Sequence, residues 1–327
     1  MTRLTTPEIV ELQNLCRRSL PERLDQHVSQ FSLSEDDRHR TLSFALTWDE
    51  KRRPRVERLQ VRGYLQAWTV WNLNDDAQVR RDWQVMGWLY GLGLPVPRVY
   101  ASGQDYMLLE CPTGRSVDSF SGDWQELVAP QIDEFARLLA QLHRLQPPEG
   151  VRQVLPLMEA EAELDRLGDI ARQCLDAGLE ETVSELKVWF GAEEREAFPP
   201  CVLCGEAIFA RAQIDAWGIT LPCWQDAARG DPRWDVAHAI AWLRARHADD
   251  LAERFLETYQ ARAVNAANIV HTNTLDAWSA LAGAQHWALA DWLREHQPEH
   301  PRAAERSMWI ELTWRALTRI NSTYGQI

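Results

Sequence analysis

The sequence is short of lysine and has no glycine near its start. Only two lysines, Lys51 and Lys187, occur among the 327 residues, and the first glycine is Gly63. Backbone amides approach phosphate closely only where side chains leave room, so a phosphate-binding loop relies on glycine. The residues before Gly63 therefore cannot form a glycine-rich phosphate loop. Neither lysine lies within a strand-like run, so a cation on a strand would have to be arginine.

Long hydrophobic runs are also missing. No apolar run approaches the roughly 20 residues needed to span a bilayer, and residues 1–8 lack the apolar core of a signal peptide. We therefore expect a cytoplasmic protein with no membrane partner. The net charge of −13 disfavours nucleic acid as a partner, because broad binding to nucleic acid needs a positive surface. The densest basic cluster, Lys51–Arg55, is expected to form a solvated hairpin loop.

The cysteines are few and scattered, whereas tryptophan is abundant. The six cysteines form no disulfide framework, and we expect them to be reduced core residues. Cys201 and Cys204 make one CxxC pattern, which alone is a weak sign of a metal site. Most of the 16 tryptophans are expected to pack in the core, because tryptophan is highly buried on average. An aromatic-lined ligand pocket or partner surface is the alternative for some of them.

The first part of the chain combines helices with strand-like runs. Helical spacing of apolar residues predicts a helix over about 8–30, and residues 74–76 are expected to cap a second helix that ends near Tyr90. Alternating residues predict strands at 41–48, 56–65, 99–102 and 106–110. Residues 1–111 are therefore predicted to form an N-terminal lobe with a helix, an antiparallel sheet and a long helix.

After this lobe, helical periodicity dominates the sequence. Helices are predicted at about 131–145, 155–195, 234–264, 274–295 and 302–320, with short strands between 201 and 224. Residues 112–327 are therefore predicted to form a helical C-terminal lobe. A small β-rich lobe followed by a larger helical lobe is an α+β architecture.

Four short motifs point to a known family. They are GLGLPVPRV at 91–99, YMLLECPTG at 106–114, LLAQLH at 138–143 and GDPRWDVA at 230–237. In this order they resemble four motifs of the aminoglycoside phosphotransferase and choline kinase family: the Pro-Val-Pro junction, the hinge strand, the Leu-His helix and the Gly-Asp-Pro helix start. The resemblance covers about residues 40–260 and implies a bilobal, protein-kinase-like fold. Each motif alone is weak, but four in the right order are a strong indication of the fold.

The resemblance assigns four residues to a nucleotide cleft. Arg62 would take the place of the strand cation and bind phosphate through its guanidinium. Asp82 on the following helix would hold that cation, with a side chain one methylene shorter than the usual Glu. Glu110 and Pro112 would lie where the strand and hinge meet adenine. An exposed strand residue without a ligand remains the alternative for Arg62.

The catalytic motif of the family is altered in this chain. The family has His-Gly-Asp, four further residues and then Asn; here Cys204, Gly205, Glu206 and Arg211 take those places. Glu206 keeps the carboxylate of the catalytic base, although a displacement of about an ångström costs on the order of a hundredfold in rate. Arg211 replaces a magnesium-binding amide with a guanidinium, which repels a metal ion. Its position beside Glu206 suggests an internal ion pair.

The second metal-binding position is altered as well. The family's Ile-Asp-Trp-Glu pattern is similar to residues 222–225, with Cys223 in the place of the Asp. A thiol is a poor ligand for magnesium, a hard cation that prefers oxygen. Asp226 is the nearby carboxylate that would have to replace it. Asp231 and Asp235 are interpreted as structural residues that cap the helix starting there.

These substitutions favour one function and leave two alternatives. The favoured hypothesis is a pseudokinase, a kinase-like body that binds or regulates through a small molecule or a protein partner, with no metal and no cofactor. The first alternative is an atypical small-molecule phosphotransferase that uses ATP and magnesium, with Glu206 as its base. The second is a metal or redox site; its members would be Cys201, Cys204, Cys223 and His238.

Overall fold

The computed structural model describes most of the chain. The described residues are 6–21, 24–35, 39–50, 53–64, 75–102, 106–112, 114–117, 123–174, 176–192, 198–205, 209, 212–222, 224–264 and 272–324. The chain divides into two compact units. The first unit comprises residues 1–115, 149–154 and 213–225, and the second comprises the rest.

Helices and strands alternate in the first third of the chain, and helices dominate the remainder. The first third contains α1 (Thr6–Ser19), β1 (Leu24–Glu35), β2 (His39–Glu50), β3 (Arg53–Tyr64), α2 (Asp75–Gly91), β4 (Val99–Ser102), β5 (Tyr106–Glu110) and β6 (Arg115–Ser116). The remainder contains α3 (Trp124–Val128), α4 (Ile132–Leu142), α5 (Glu149–Val154), α6 (Ala160–Gln173), α7 (Ala177–Ala192), β7 (Cys201–Leu203), β8 (Gln213–Asp215), β9 (Gly218–Thr220), β10 (Ala228–Gly230), α8 (Arg233–Ala245), α9 (Asp249–Gln260), α10 (Thr272–His296) and α11 (Arg306–Tyr324).

The first unit is built on an antiparallel sheet of five strands in the order β1-β2-β3-β5-β4. β2 and β3 pair in continuous register, from His39 opposite Tyr64 to Glu50 opposite Arg53. β1 pairs with β2 through two register shifts. Glu50 pairs with Arg53, so residues 53–55 of the basic cluster belong to β3 and not to the expected loop. Lys51 and Arg52 lie outside the described residues.

The apolar side of α1 packs on one face of this sheet. A buried cluster joins the helix to the sheet; its members are Leu12, Leu15, Cys16, Leu20, Phe44, Leu46 and Leu108. Phe44 and Leu46 lie two residues apart on β2, so they occupy the same face of the sheet. Cys16 is fully buried in this cluster, as expected for a core cysteine.

Helix α2 completes the first unit together with two segments from later in the sequence. Its apolar side buries Val85, Met86 and Leu89, and the helix packs against β4, β5 and α5. The turn after it contains Gly93 with φ of 76°, a left-handed conformation that suits glycine. The β8–β9 hairpin joins through Leu221, whose N–H donates to the carbonyl of Pro95 at 2.7 Å.

The second unit is helical, and α10 packs against α6, α7, α8 and α11. The contact of α10 with α11 is close. A Cβ built on Gly283 would lie 2.4 Å from Oγ1 of Thr313. Glycine is therefore required at this crossing, because any side chain would push the two helices apart. The structure describes no helix that is both long enough and apolar enough to cross a bilayer.

Most predicted elements agree with the structure, and two predicted helices differ from it. The helix predicted over 8–30 ends at Ser19, and the chain continues as strand β1. Pro21 disfavours helical backbone in the residue before it, and this signal should have ended the prediction. The helix predicted over 234–264 is two helices, which separate at His247 with φ of 58°.

The α+β class is confirmed by a small β-rich part and a larger helical part. The first unit differs in extent from the predicted N-terminal lobe. It reaches Arg115 and includes 149–154 and 213–225, which the prediction placed in the C-terminal lobe.

The described tryptophans divide between core and surface. Buried examples are Trp189, Trp224, Trp234, Trp242, Trp278, Trp287 and Trp309, whereas Trp83, Trp217 and Trp314 are exposed.

Candidate functional site

The turn that follows β7 has a backbone conformation that requires glycine. β7 pairs with β10, with Cys201 opposite Gly230. At the turn, Gly205 has φ of 87°. A Cβ built on Gly205 would lie 2.6 Å from both the Cβ and the carbonyl oxygen of Asp226. A side chain would therefore strain the backbone and collide with Asp226.

Asp235, in the first turn of α8, anchors this turn. Its Oδ2 accepts a hydrogen bond from Cys204 N at 2.8 Å, and its Oδ1 accepts one from Gly205 N at 3.1 Å. Asp235 is only 1% exposed, and the two amides supply the partners that a buried carboxylate needs. Asp235 is structural, as predicted, but it holds the turn after β7 and does not cap its own helix.

A histidine and a tyrosine extend this hydrogen-bonded network. His143 Nε2 lies 3.2 Å from Asp235 Oδ2, and His143 Nδ1 lies 2.6 Å from the hydroxyl of Tyr259. His143 directly follows α4 and Tyr259 belongs to α9, so the network connects α4, α8 and α9. Burial, and then the negative charge of neighbouring groups including Asp235, raises the pKa of Tyr259. Its hydroxyl therefore keeps its proton.

Asp231 organises the start of α8. Its Oδ1 accepts a hydrogen bond from Arg233 N at 2.9 Å, and its Oδ2 pairs with Arg233 Nη2 at 2.5 Å. The Arg233 guanidinium also lies 4.8 Å from the ring centroid of Phe198 and 5.7 Å from that of Trp278. Asp231 accepts the N–H of the first residue of α8, as a capping side chain does; Asp231 is half-buried, and its partner Arg233 is buried.

Of the two cysteines of the CxxC pattern, Cys201 is buried and Cys204 is half-buried. Burial, followed by the negative charge of Asp235, raises the pKa of Cys201 and of Cys204. Cys201 Sγ also donates to the carbonyl of Gly230 at 3.5 Å. The thiolate is the form that binds metals and attacks disulfides, so the raised pKa values disfavour both reactions.

The backbone also keeps these two cysteines apart. Residues 201–203 are extended in β7, and three residues of extended chain separate two Cα atoms by about 10 Å. A disulfide requires Cα atoms within about 7 Å. Cys201 and Cys204 therefore cannot form a disulfide with each other. The predicted metal or redox site also needs Cys223, which lies outside the described residues, so it stays a prediction.

The metal-site alternative gains no support from the described part of the chain. Within it, no group of three or more His, Cys, Asp or Glu side chains could hold a metal ion. Cys223, which the predicted site needs, lies outside the described residues. His238 lies in α8 with its ring packed on Trp234 and His286, at centroid distances of 4.9 and 5.6 Å.

In the first unit, Arg81 makes a cation contact that the sequence prediction did not include. Its guanidinium donates to the backbone carbonyl of Gln225, and its Nε lies 3.8 Å from Oδ1 of Asp82. Asp82 is 1% exposed on α2, so this predicted site residue is a buried carboxylate. The side chain of Arg62 lies outside the described part, and its pairing with Asp82 stays a prediction.

The two predicted hinge residues lie at the end of β5 and just after it. Glu110 is exposed; its N–H donates to the carbonyl of Arg98 at 2.8 Å. Pro112 is half-buried, and its carbonyl accepts a weak bond from Cys111 Sγ at 3.8 Å. In the backbone ladder, Arg62 is paired with Met107, three residues from Glu110 on the same strand. Their nucleotide-binding roles stay predictions.

The three altered catalytic positions lie outside the described residues. They are Glu206, Arg211 and Cys223, and the ion pair expected between the first two stays a prediction. Buried aromatic residues lie beside them in sequence. Phe209 is fully buried, with its ring 4.6 Å from that of Phe135. Trp224 is buried, and its Nε1 donates to the carbonyl of Leu221 at 3.0 Å. The described chain next to these positions is therefore well packed.

Sequence reasoning missed Tyr259 and Arg81. Tyr259 is separated from His143 by 116 residues, and nothing in its own helix indicates a histidine partner. Arg81 precedes Asp82 directly, but its contact with Gln225 spans 144 residues. The one sign in the sequence is that Arg81 is a charged residue directly before Asp82, which is a predicted site residue.

Comparisons with known proteins agree with the motifs. Residues 69–206 match the model of the phosphotransferase enzyme family. No curated protein matches the sequence. The choline kinase from Cryptosporidium parvum Iowa II is similar in structure, with a TM-score of 0.68, 12% identity, and coverage of 96% of this chain and 96% of that one.

Two further solved structures are similar over nearly the whole chain. The Plasmodium vivax ethanolamine kinase has a TM-score of 0.62 and 10% identity, covering 95% of this chain and 84% of its own. A macrolide 2′-phosphotransferase type I has a TM-score of 0.59 and 18% identity, covering 94% and 99%. Identities this low establish the fold alone. The chain therefore has the bilobal, protein-kinase-like fold of the aminoglycoside phosphotransferases and choline kinases, and its residues 69–206 are related to that family in sequence.

Proposed function

We propose that this chain uses a phosphotransferase fold as a binding or regulatory module and does not catalyse efficient magnesium-dependent phosphoryl transfer. The observation that carries this proposal is the set of residues at the family's base and metal positions: Glu206, Arg211 and Cys223. Phosphoryl transfer depends almost entirely on positioning and on electrostatic stabilisation by the metal ions. Replacing the metal ligands therefore removes most of the catalytic effect.

The donor chemistry at these positions does not fit magnesium. The family pattern Asp, Asn, Asp carries a formal charge of −1 + 0 − 1 = −2. Here Glu206, Arg211 and Cys223 carry −1 + 1 + 0 = 0, with the thiol neutral at its usual pKa. Gln225 also replaces a Glu of the family pattern with an uncharged amide. Magnesium prefers anionic oxygen ligands, and these positions offer it a single carboxylate.

The supporting framework is retained even though the metal ligands are replaced. Gly205 keeps the left-handed turn, Asp235 holds its amides, and Asp231 caps α8. The combination of a retained framework and replaced metal ligands supports a role in which the fold binds a small molecule or a protein partner. A site that had lost any role would not need to keep a buried carboxylate that accepts from three hydrogen-bond donors.

Thermal unfolding of the full chain with nucleotide tests the proposal. We expect that any shift in Tm caused by ATP or ADP is the same with magnesium as with EDTA. Turnover of labelled ATP should stay at background. Magnesium-dependent stabilisation, together with ATP turnover that Glu206→Gln abolishes, would overturn the proposal.

A restored metal site provides the matching gain-of-function test. The double variant Arg211→Asn, Cys223→Asp returns the family's ligands, and we expect it to acquire a magnesium-dependent Tm shift with ATP. Arg152→Asn, at an exposed position on α5, is the matched control and should behave like the parent protein. A magnesium-dependent Tm shift in the parent as large as that in the double variant would contradict the proposal.

One observation favours the atypical phosphotransferase as a second candidate. The backbone of Asp226 lies directly against Gly205, the residue before Glu206. Asp226 and its carboxylate are therefore close to the altered catalytic motif in the folded chain. Assays of labelled ATP with aminoglycosides, choline, homoserine and sugars test this candidate. It requires turnover that both Glu206→Gln and Asp226→Asn abolish.

A further inference from the structure

Helix α2 presents two large aromatic side chains to solvent. Trp83 is 43% exposed and Tyr90 is 45% exposed, and Leu92, in the turn after the helix, is 48% exposed. With about 150–250 Å² for each aromatic side chain, the exposed parts of the three residues add up to roughly 300 Å². An apolar patch of about this size on a protein surface often serves a function.

A glycine lies between the two aromatic residues on the same face. Each residue of an α-helix turns by about 100°, so the exposed positions of α2 from residue 80 onward fall within an arc of about 100°. They are Arg80, Trp83, Gly87, Tyr90 and Gly91. Glycine inside a helix lowers the stability of the helix relative to alanine. A Cβ built on Gly87 would meet nothing within 4 Å, so no packing within the chain requires this glycine.

Other helices of this chain show where an interior glycine is needed. Among the described residues, two more glycines lie inside helices and away from the first and last turns: Gly168 on α6 and Gly283 on α10. A Cβ on Gly168 would lie 3.7 Å from Cγ1 of Val183 on α7, and one on Gly283 would collide with Thr313 on α11. Both glycines thus lie where another helix comes close. Gly87 occupies the same kind of position, but no described segment of this chain approaches it.

We propose that this exposed face of α2 is a dimer interface, occupied by the same face of a second copy of this chain. An antiparallel pair of α2 helices with a twofold axis at Gly87 fits the residue pattern. A residue four positions before Gly87 then lies opposite one four positions after it, so Trp83 packs over Gly91 of the second copy. The large side chain fills the space left by the glycine, and the contact occurs twice because such an interface is isologous.

Charge also fits an antiparallel pair. Arg80 lies seven residues before Gly87, about 10 Å along the helix axis, and α2 ends at Gly91. The arrangement therefore brings Arg80 to the carboxyl end of the second helix, where the helix dipole attracts a cation. The two arginines lie at opposite ends of the pair, about 20 Å apart, and physiological salt screens exposed charges at that distance.

The small size of the patch sets the strength of the expected dimer. A standard interface buries about 800 Å² on each partner, more than the exposed area of these side chains. We therefore expect a weak dimer that forms at high protein concentration. The inference does not rest on the proposed function, because the exposed side of α2 needs neither nucleotide nor magnesium to pair.

Sedimentation velocity of the full chain over a wide range of concentrations, without nucleotide or magnesium, tests the interface. The parent protein should shift from monomer to dimer as its concentration rises. Gly87→Leu places a side chain at the crossing point and should raise the dissociation constant about tenfold. Gly87→Ala should weaken the dimer less, yet raise the Tm of the dilute monomer, because alanine favours the helix and its Cβ enters open space.

A pair of tryptophan variants tests the location of the interface. Trp83→Ala removes the aromatic anchor and should weaken the dimer about tenfold. Trp314→Ala is the matched control, because Trp314 is 55% exposed on α11 in the second unit. Its removal should leave dimerisation unchanged.

A cysteine variant tests the register of the two helices. The twofold axis places residue 87 opposite itself, and a disulfide requires Cα atoms within about 7 Å. Mild oxidation of Gly87→Cys should therefore produce a disulfide-linked dimer. The parent protein and Ser307→Cys, at an exposed position on α11, should not give one.

Three results would overturn the inference. The first is a parent protein that sediments as a monomer at every concentration. The second is dimerisation that Gly87→Leu strengthens, because a nonspecific apolar surface gains from an added leucine and a close helix crossing does not. The third is a dimer that Trp83→Ala leaves intact. None of these outcomes involves ATP turnover or magnesium, so they are distinguishable from a failure of the proposed function.

Discussion

At the scale of single residues, Gly205 is constrained twice, by its backbone angle and by its neighbour. Its φ is 87°, and the space for a Cβ is taken by Asp226 at 2.6 Å. Gly93 has a similar φ of 76°, but nothing lies within 4 Å of its Cβ position. A comparison of the two glycines therefore separates the energetic cost of the backbone conformation from the energetic cost of a steric collision.

We expect Gly205→Ala to destabilise the protein by about 3 kcal/mol, because strain and overpacking act together. Gly93→Ala should cost only about 1 kcal/mol, since its side chain would enter open space. Urea unfolding of both variants measures the difference. Equal losses would show that the turn yields to accommodate a side chain.

The residue types at the site could be predicted from sequence, but their partners could not. Asp235 stands out as an acid at a helix start, which explains why a structural role was predicted. Its actual partners, Cys204, Gly205 and His143, lie 30 to 92 residues away in the chain. Helix-start chemistry is local, whereas these contacts depend on how α4, α8 and β7 pack.

At the scale of elements, three segments of the second unit meet at a pair of carboxylates. Asp176 caps α7 by accepting the amides of Gly178 and Leu179, each at 3.0 Å. Arg306, which begins α11, donates to Asp176 and to Asp291 of α10. Asp291 is 3% exposed, so two acids share one guanidinium in a buried junction.

The pKa values of the two carboxylates shift in opposite directions. Burial alone would raise the pKa of Asp176, but hydrogen bonds from Asp291, the Leu179 amide and Arg306 outweigh it and lower that pKa to about 2. Burial, and then the hydrogen bond to Asp176, raises the pKa of Asp291. The other charged or titratable groups near this pair are Cys174, Arg294 and Glu295. Asp291 therefore takes up a proton before Asp176 does.

The sign of the pH dependence follows from these shifts. A raised pKa in the folded state stabilises the protein below the unfolded value and loses that stabilisation as pH rises through the folded pKa. Asp291 should therefore make the protein more stable as pH falls from neutral toward its ordinary pKa of 3.8. Asp176 stabilises the fold above its unfolded pKa and loses this effect only as pH falls toward about 2.

We expect Asp291→Asn to remove this gain in unfolding free energy on mild acidification. Asp176→Asn should instead lower stability by about 1–3 kcal/mol at neutral pH, because an NH2 group replaces the oxygen Oδ2 that accepts from Arg306 and from Trp287 Nε1. Urea unfolding at several pH values measures both effects. Asp169→Asn, an exposed acid paired with Arg172, is the control and should change little. An unaltered pH profile in Asp291→Asn would contradict the expectation.

Strand β1 shows why one element was mispredicted. Its residues, LDQHVSQFSLSE, are mostly polar, and its first residue, Leu24, continues the helical spacing of α1. What makes it a strand is pairing with β2, and this partner is not visible in a local window. Regular strands such as β2 and β5 were predicted because their alternation or continuous apolar character is local.

At the scale of the whole molecule, the fold was predictable because four motifs occur in the right order. Their local chemistry, proline and glycine at turns and apolar residues at helical spacing, is visible in sequence. The division into units was less predictable. The chain crosses between units after residues 115, 148, 154, 212 and 225, and these crossings depend on tertiary packing alone.

The composition of the first unit leads to a prediction about truncation. Residues 1–115 contain the whole five-stranded sheet and α2, yet three of their contacts come from later segments. Helix α2 packs on α5, Arg81 donates to the carbonyl of Gln225, and Pro95 accepts from Leu221. A fragment of residues 1–115 would expose these surfaces and leave buried Asp82 without the packing around it.

We therefore expect the isolated fragment 1–115 to lack a cooperative urea transition, because it loses contacts that its own core depends on. The far-ultraviolet circular dichroism of the fragment should show less helix than α1 and α2 provide in the full chain. Joining residues 149–154 and 213–225 to the fragment through flexible linkers should restore a transition. A cooperative transition in fragment 1–115 itself would show that the boundary predicted from sequence, near residue 111, marks an autonomous lobe. It would also mean that the later segments cover a unit that is already folded.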